Sequence, residues 1–341
     1  MNDLLDVAMS GAVSLGPDVT CDGFLHYAKA RVQTHVHSDH MAGFESSKGC
    51  QDILVSEPTR NLLIAEYNAD LPYRSNLRSL GAGVPYEVNG SKVRLLPSGY
   101  MLGAVQVLVE PPNGPRLGYS GDFQWPIDSV ISVDALVVDA TYGSPNSVRR
   151  YTQGECETRF LTLVRQQLAR GPVYIYAYRG SMQRALQLLT DEIDCPLIGS
   201  AHLCKEITVY REFGYAIGTV ISSASAEGAG LLNEQRFVRV FGTGDQRPTD
   251  TASVSVFKLS AYFSRPDEPI VEYSERSFGV AMSNHADFEG TLEYVRSTGA
   301  QYVVTDNSRG GKAFELAFEI RRRLGIESRP SSNFDTREWG R

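Results

Sequence analysis

Thr34 to Gly43 reads THVHSDHMAG and places His35, His37, Asp39 and His40 within six residues, directly after the alternating run that begins at Arg31. A strand that ends in a turn can aim several side chains at one spot, and neutral imidazoles with a carboxylate are the donors zinc prefers. The chain has 6 histidines, so half of them fall in this segment, a density that a polar surface loop does not require. Asp122, ending a β-rich run in YSGD, and His285, after another in AMSNHADF, stand at strand ends from which they can reach the same pocket. Either one alone reads as a turn cap or a structural histidine; together with the first motif they extend a metal site.

Composition sets the bounds. With 341 residues, 42% hydrophobic and 21% charged, the chain can bury one large core or two smaller ones. No apolar run reaches the roughly 18 residues that cross a bilayer, and the start lacks a basic segment followed by a long apolar one, so a cytoplasmic protein without a membrane partner is expected. The 5 cysteines are scattered and never spaced CxxC, which fits buried thiols better than a disulfide framework or a cysteine zinc site. A formal charge of -7 opposes general coating of nucleic acid but leaves room for a local phosphate track of Lys and Arg.

Along the chain, the first 145 or so residues alternate short β-rich runs with turns. From Thr152 the pattern changes: Thr152 and Glu155 have capping-box spacing, and Phe160, Leu161, Val164 and Leu168 line a helical face that Gly171-Pro172 stops. Strands over 173–178, 219–222 and 237–241 alternate with a helix over 181–189, the signature of a parallel α/β unit. Helices over 288–297 and 312–324 flank the strand QYVVTD, and the tail from Glu327 shows no periodicity and reads as loosely ordered.

HVHSDH (35–40), SGYMLGAVQV (98–107), SGD (120–122), VVDATYG (137–143) and SNHADF (283–288) together resemble the metallo-β-lactamase superfamily and, within it, the β-CASP nucleases. AYRGSMQRAL (177–186) is similar to the strand-to-helix junction of the β-CASP cap, and the nearest subgroup is the bacterial exonucleases associated with DNA ligase and helicase partners. The fold so implied is α/β: an αββα sandwich formed by residues 1–147 and 266–341, interrupted by a cap over 148–265.

By this resemblance His35 and His37 bind a first metal, Asp39 and His40 a second, and Asp122 bridges the two. A shared water then becomes the hydroxide that attacks phosphorus, His285 protonates the leaving group, Asp139 orients the site, and Asp22 in TCDGFLHYAK supports the ligand histidines. Two positions depart from the pattern. Tyr100 stands where relatives carry a third imidazole, and a phenol with a pKa of about 10 is a poor zinc ligand. Asp306 stands at a further ligand position, where a harder oxygen donor favours manganese or magnesium over zinc and leans the substrate towards DNA rather than RNA. His26 and His202 are the other histidines that could replace a lost ligand.

One or two divalent cations, Zn²⁺ or Mn²⁺ with Mg²⁺ as a further option, are therefore expected. The expected substrate is a phosphodiester in single-stranded nucleic acid or at a strand end, held by Arg149, Arg150, Arg179, Arg184, Arg309 and Lys312. DNA-processing proteins are candidate partners. Two other readings stay open: a non-catalytic nucleic-acid-binding member, and a metallo-hydrolase of small esters, thioesters or lactams.

Overall fold

The computed structural model describes residues 4–66, 70–249 and 251–333, which fall into two compact units: residues 4–147 with 285–333, and residues 148–284. In the first unit, six short strands form one sheet in sequence order: β1 (Leu5–Val7), β2 (Val13–Leu15), β3 (Val19–Cys21), β4 (Ala30–Val32), β5 (Asp52–Ser56) and β6 (Leu77–Leu80). From β3 to β6 the pairing is parallel. Helix α1 (Glu57–Glu66) connects the last two strands and lies against both.

A second sheet is built from β7 (Tyr86–Val88), β8 (Ser91–Pro97), β9 (Val105–Glu110), β10 (Leu117–Tyr119) and β11 (Ala135–Val138). The inner faces of the two sheets share one apolar core, in which Val13, Val32 and Leu54 meet Leu95, Val107, Tyr119 and Val137. Alternation of apolar and polar residues along β8 and β9 is what turns one face of each strand inward.

The second unit opens with α2 (Gln153–Leu168), capped by the Thr152–Glu155 box that the sequence announces. It continues through β12 (Val173–Tyr176), α3 (Ser181–Leu189), β13 (Leu197–Gly199), α4 (Ala201–Glu212), β14 (Val220–Ser222), α5 (Ala226–Leu231), β15 (Val238–Phe241), β16 (Ser255–Leu259), β17 (Ile270–Ser274) and β18 (Ser277–Val280). Its sheet runs β14-β13-β15-β12-β16-β18-β17, parallel except for the edge strand β17. Residues 266–284, read from the sequence as part of the first body, thus complete the second unit's sheet. The physical reason is the ladder from β16 to β18, which ties that segment to Val256–Leu259.

The chain then returns to the first unit with α6 (Phe288–Thr298), β19 (Tyr302–Thr305), α7 (Ala313–Leu324) and β20 (Glu327–Pro330). Strand β19 pairs in parallel with β11, and β20 with β19. The start of the tail is therefore ordered: residues 327–330 form an edge strand although they lack alternation, because the sheet edge and α7 supply their partners. Residues 334–341 lie outside the described residues. The thiols are free, but only Cys21 and Cys156 are buried and Cys50 is exposed. Among the described residues no helix is long and apolar enough to cross a membrane.

Candidate metal centre

After β4 the chain leaves the sheet, and the motif folds into an extended stretch followed by a 3-10 turn over Ser38–His40. Val36 is buried and anchors the stretch, while His35 and His40 turn inward and are buried too. Opposite them Asp122 follows Gly121, whose φ of +54° and close approach to the Val105 carbonyl (2.7 Å for an added Cβ) leave no room for a side chain. Ser98, in SGYMLG, donates a 2.7 Å hydrogen bond to the Asp122 carbonyl and fixes that turn.

The side chains converge. His35 Nε2 lies 3.5 Å from Asp122 Oδ2, and His40 Nε2 lies 3.3 Å from Asp122 Oδ1. The His35 ring is 4.8 Å from that of His37 and 4.1 Å from that of His40. His285 brings Nε2 to 3.7 Å from Asp122 Oδ2 and Nδ1 to 3.4 Å from Asp139 Oδ2. Asp139 is steadied by Thr141, whose backbone N–H and hydroxyl donate to its Oδ1 at 2.9 and 2.7 Å. Asp39 stands at the edge of the group, its side chain 60% exposed and 3.8 Å from His40 Nε2.

Asp22 organises this set from beneath. It is fully buried with φ +52°, a left-handed conformation that Asp tolerates better than most residues. Its carboxylate accepts from the Thr34 backbone N–H (2.8 Å), the Thr34 hydroxyl (2.6 Å) and His40 Nδ1 (2.7 Å). Since the Thr34 hydroxyl donates to Asp22, its oxygen is left to accept from His35 Nδ1, 3.0 Å away. That tautomer leaves His35 Nε2 as a bare lone pair on the side of Asp122. Both His35 Nε2 and His37 Nε2 are buried and make no hydrogen bond, a condition that ordinarily costs free energy and that a cation relieves.

The electrostatics follow from burial opposed by charge. Burial pushes His35 well down and His37 to about 4, so both imidazoles are neutral at pH 7 and able to act as ligands. Burial and Arg309 also act to lower His40, but Asp122 and Asp22 overcome them and raise it to about 10. Burial alone would raise Asp122, yet His40, His285 and His35 hold it well below the usual carboxylate range. His285 is raised against burial by Asp122 and Asp139. Two groups of donors that a metal ion could bring together are His35–His37–Asp122 and Asp122–Asp139–His285, and a third is Asp22–His35–His40.

Tyr100 and Asp306 take other parts. The Tyr100 hydroxyl lies 3.3 Å from His37 Nδ1, and its ring packs 4.5 Å from His285. Burial and the surrounding aspartates push its pKa up, which opposes its ionisation to a phenolate. Asp306 is buried 2.7 Å from the Ser308 backbone N–H and ion-paired with Arg309, which also donates 2.8 Å to the Gly11 carbonyl. Both carboxylate oxygens are thereby taken up, and Asp306 belongs to none of the donor groups. Arg309, expected to touch phosphate, is 8% exposed and serves that pair.

Among the other expected cations, Arg179 pairs with Glu206 at 2.7 Å, Arg184 with Glu157 at 2.7 Å and Arg150 with Asp267 at 3.1 Å, while Lys312 lies 3.9 Å from Glu315. Arg149 is half-buried. His202 is 3.0 Å from Glu206 in the second unit, and His26 stacks edge-on with Tyr27, so neither joins the cluster.

Sequence reasoning passed over Arg31 and Gln33. Arg31 is fully buried on the strand and donates to the carbonyls of Ala42 (2.9 Å) and His40 (3.1 Å) and to Gln33 Oε1 (2.6 Å). Gln33 donates to the carbonyls of His35 (2.6 Å) and His40 (3.1 Å). These bonds pin both ends of the ligand loop. Polar residues at alternate positions of RVQT look like a solvent face, so nothing in the sequence marked them.

The fold and the cluster thus define a mixed α/β protein with a buried histidine–carboxylate site able to hold divalent cations. No family model matches the chain. Over 129 residues it is 37% identical to the "Uncharacterized protein in lig 3'region" of Acidianus ambivalens, covering 37% of this chain and 91% of that protein, and it belongs to the family of that protein. Over 140 residues it is 32% identical to the DNA cross-link repair 1A protein of Mus musculus; this covers 38% of the chain but only 13% of the mouse protein. In overall fold it is similar to a protein of unknown function from Enterococcus faecalis V583, with a TM-score of 0.61 at 12% identity over 90% of this chain and 80% of the other.

Proposed function

We propose that the chain is a metal-dependent phosphodiesterase, a DNA exonuclease, built on an αββα metallo-β-lactamase sandwich with residues 148–284 as a β-CASP-like cap. The observation that carries this reading is the pair of buried, unbonded Nε2 atoms of His35 and His37 beside Asp122. The partial match to a protein named for DNA cross-link repair supports DNA as the substrate.

In this reading His35, His37 and Asp122 hold one cation, and Asp39 and His40 with Asp122 hold another, with zinc or manganese the metals their nitrogen and oxygen donors suit. When bound, such cations supply Lewis acidity, neutralising charge on the phosphoryl oxygens and easing deprotonation of water. Asp22 fixes the tautomers of His35, through Thr34, and of His40. Tyr100 holds the His37 ring by its Nδ1. Asp139 Oδ2 lies 3.4 Å from His285 Nδ1 and, with Asp122, raises the ring's pKa, which favours the protonated ring as the donor to the leaving oxygen through Nε2.

The test is metal content together with cleavage of end-labelled single-stranded DNA, duplex DNA and RNA with Zn²⁺, Mn²⁺ or Mg²⁺. His285→Ala should keep its metal and lose roughly 10²- to 10⁴-fold in rate, as removal of a general acid does, whereas Asp39→Ala should lose both. Cleavage that survives both substitutions sinks the site, and tight binding of DNA without cleavage under every metal favours the non-catalytic alternative.

A further inference from the structure

A parallel sheet ordinarily buries both faces, and the second unit's sheet departs from this. Val173, Ile175, Val238, Val240 and Phe257 point to one side and are all buried, with Phe160 of α2 packed against Phe257 at 5.8 Å. The cross-strand partners on the other side are Tyr174 with Arg239 and Val256, and Tyr176 with Phe241 and Lys258. Here Tyr174, Arg239 and Val256 are only half-buried and Lys258 is exposed.

This face interleaves aromatic rings and cations. Tyr174, Tyr176 and Phe241 form a ladder with ring centroids 5.2 and 5.0 Å apart. The Arg239 guanidinium sits 4.5 Å over the Phe241 ring, and that of Arg247 sits 4.8 Å over Tyr176. A cavity of about 640 Å³ opens beside them, lined in part by Tyr176, Arg247, Val256 and Lys258. Elsewhere in the unit Arg165, Arg170, Arg179 and Arg184 are each neutralised by a glutamate. Among the described residues no carboxylate pairs with Arg239, Arg247 or Lys258, in a chain whose formal charge is -7.

We infer that this sheet face is a track for single-stranded nucleic acid, on which Arg239, Arg247 and Lys258 contact phosphates and the half-exposed Tyr174 offers a stacking surface for a base. Unneutralised guanidinium groups held over aromatic rings keep N–H donors available for phosphate oxygens, and every base has a face that can stack. The inference rests on the proposed function in taking nucleic acid as the substrate, but it concerns residues outside the metal centre.

The experiment is fluorescence anisotropy on the full chain carrying His285→Ala, with a labelled 30-mer of deoxythymidine between 50 and 200 mM salt. Adding R239S, R247S and K258S should weaken binding at least 10-fold at the lower salt and make the slope of log affinity against log salt shallower by about 2, since each lost phosphate contact on a single strand is worth about 0.7. R239K with R247K should restore the slope, and Tyr174→Ala should weaken binding roughly 5-fold or more with the slope unchanged. A triple variant with the parent's affinity and slope overturns the track while leaving the proposed function standing. Failure of the parent to bind any nucleic acid overturns both, and displacement of the strand by polyglutamate as readily as by oligonucleotide overturns the stacking assignment.

Discussion

Two loops of the first unit follow parallel strands and carry dense polar sequence, yet they end in opposite chemical states. In 35–40 the His35 and His37 imidazoles are neutral, and their Nε2 atoms are buried and unbonded beside Asp122. In 306–312 the buried Asp306 is saturated by Ser308 and Arg309, and Arg309 reaches on to Gly11. The first loop keeps unused donor capacity and the second has spent it on the fold. A polar residue at a strand end is therefore a candidate ligand only when its neighbours leave it a lone pair.

The largest effect that tests this contrast is His37→Ala, which should abolish tight binding of one cation and reduce cleavage by more than the roughly 100-fold typical of residues that merely support a ligand. The metal-free protein should lose less stability than it does on Asp306→Ala, because the ring gives up an unbonded Nε2 and a 3.3 Å contact with the Tyr100 hydroxyl and strands no charge; metal analysis beside denaturant unfolding reads both. Asp306→Ala should do the reverse. It strands a buried guanidinium and should destabilise the protein by about 3–5 kcal/mol while the metal stoichiometry stays the same, and loss of metal with unchanged stability would erase the distinction.

The smallest effect concerns Asp22 and His40 in metal-stripped protein. His40 is raised from 6.5 to about 10, so its stabilising contribution is complete below pH 6.5 and is lost as the pH climbs towards 10. Asp22 is lowered, against burial, by His40, Arg309 and Thr34, so its contribution is complete above about 3.8 and is lost on acidification. The pair therefore stabilises most between these limits. Asp22→Asn should flatten the alkaline decline in thermal unfolding and weaken metal binding by roughly 10- to 100-fold; an unchanged alkaline limb would show that Asp22 does not hold the His40 charge.

His35, His37, His40, Asp122, Asp139 and His285 were legible as a group because imidazoles and carboxylates at strand ends are rare and specific, and the structure gathers them. The resemblance assigns Asp306 to a metal and Arg309 to phosphate, whereas the ion pair between them exists only once the loop closes and so has no signal in the sequence. Helix α4 went unread because Thr208 and Val209 are β-branched and the buried Glu206 interrupts its apolar stripe. The cations of 149–184 drew notice by sequence proximity to the cap junction, whereas Arg239, Arg247 and Lys258 become a set only through the register of β12, β15 and β16.

Strand β11 ends at Val138, and its outer neighbour β19 begins at Tyr302, with the whole second unit encoded between them. On a ribosome adding about 5–20 residues per second, that edge waits roughly 8 to 30 s for its partner. Asp122 and Asp139 are made early, but His285 arrives only after the second unit has been synthesised. The cluster can gain His285 only late in synthesis, once residues 148–284 have been made.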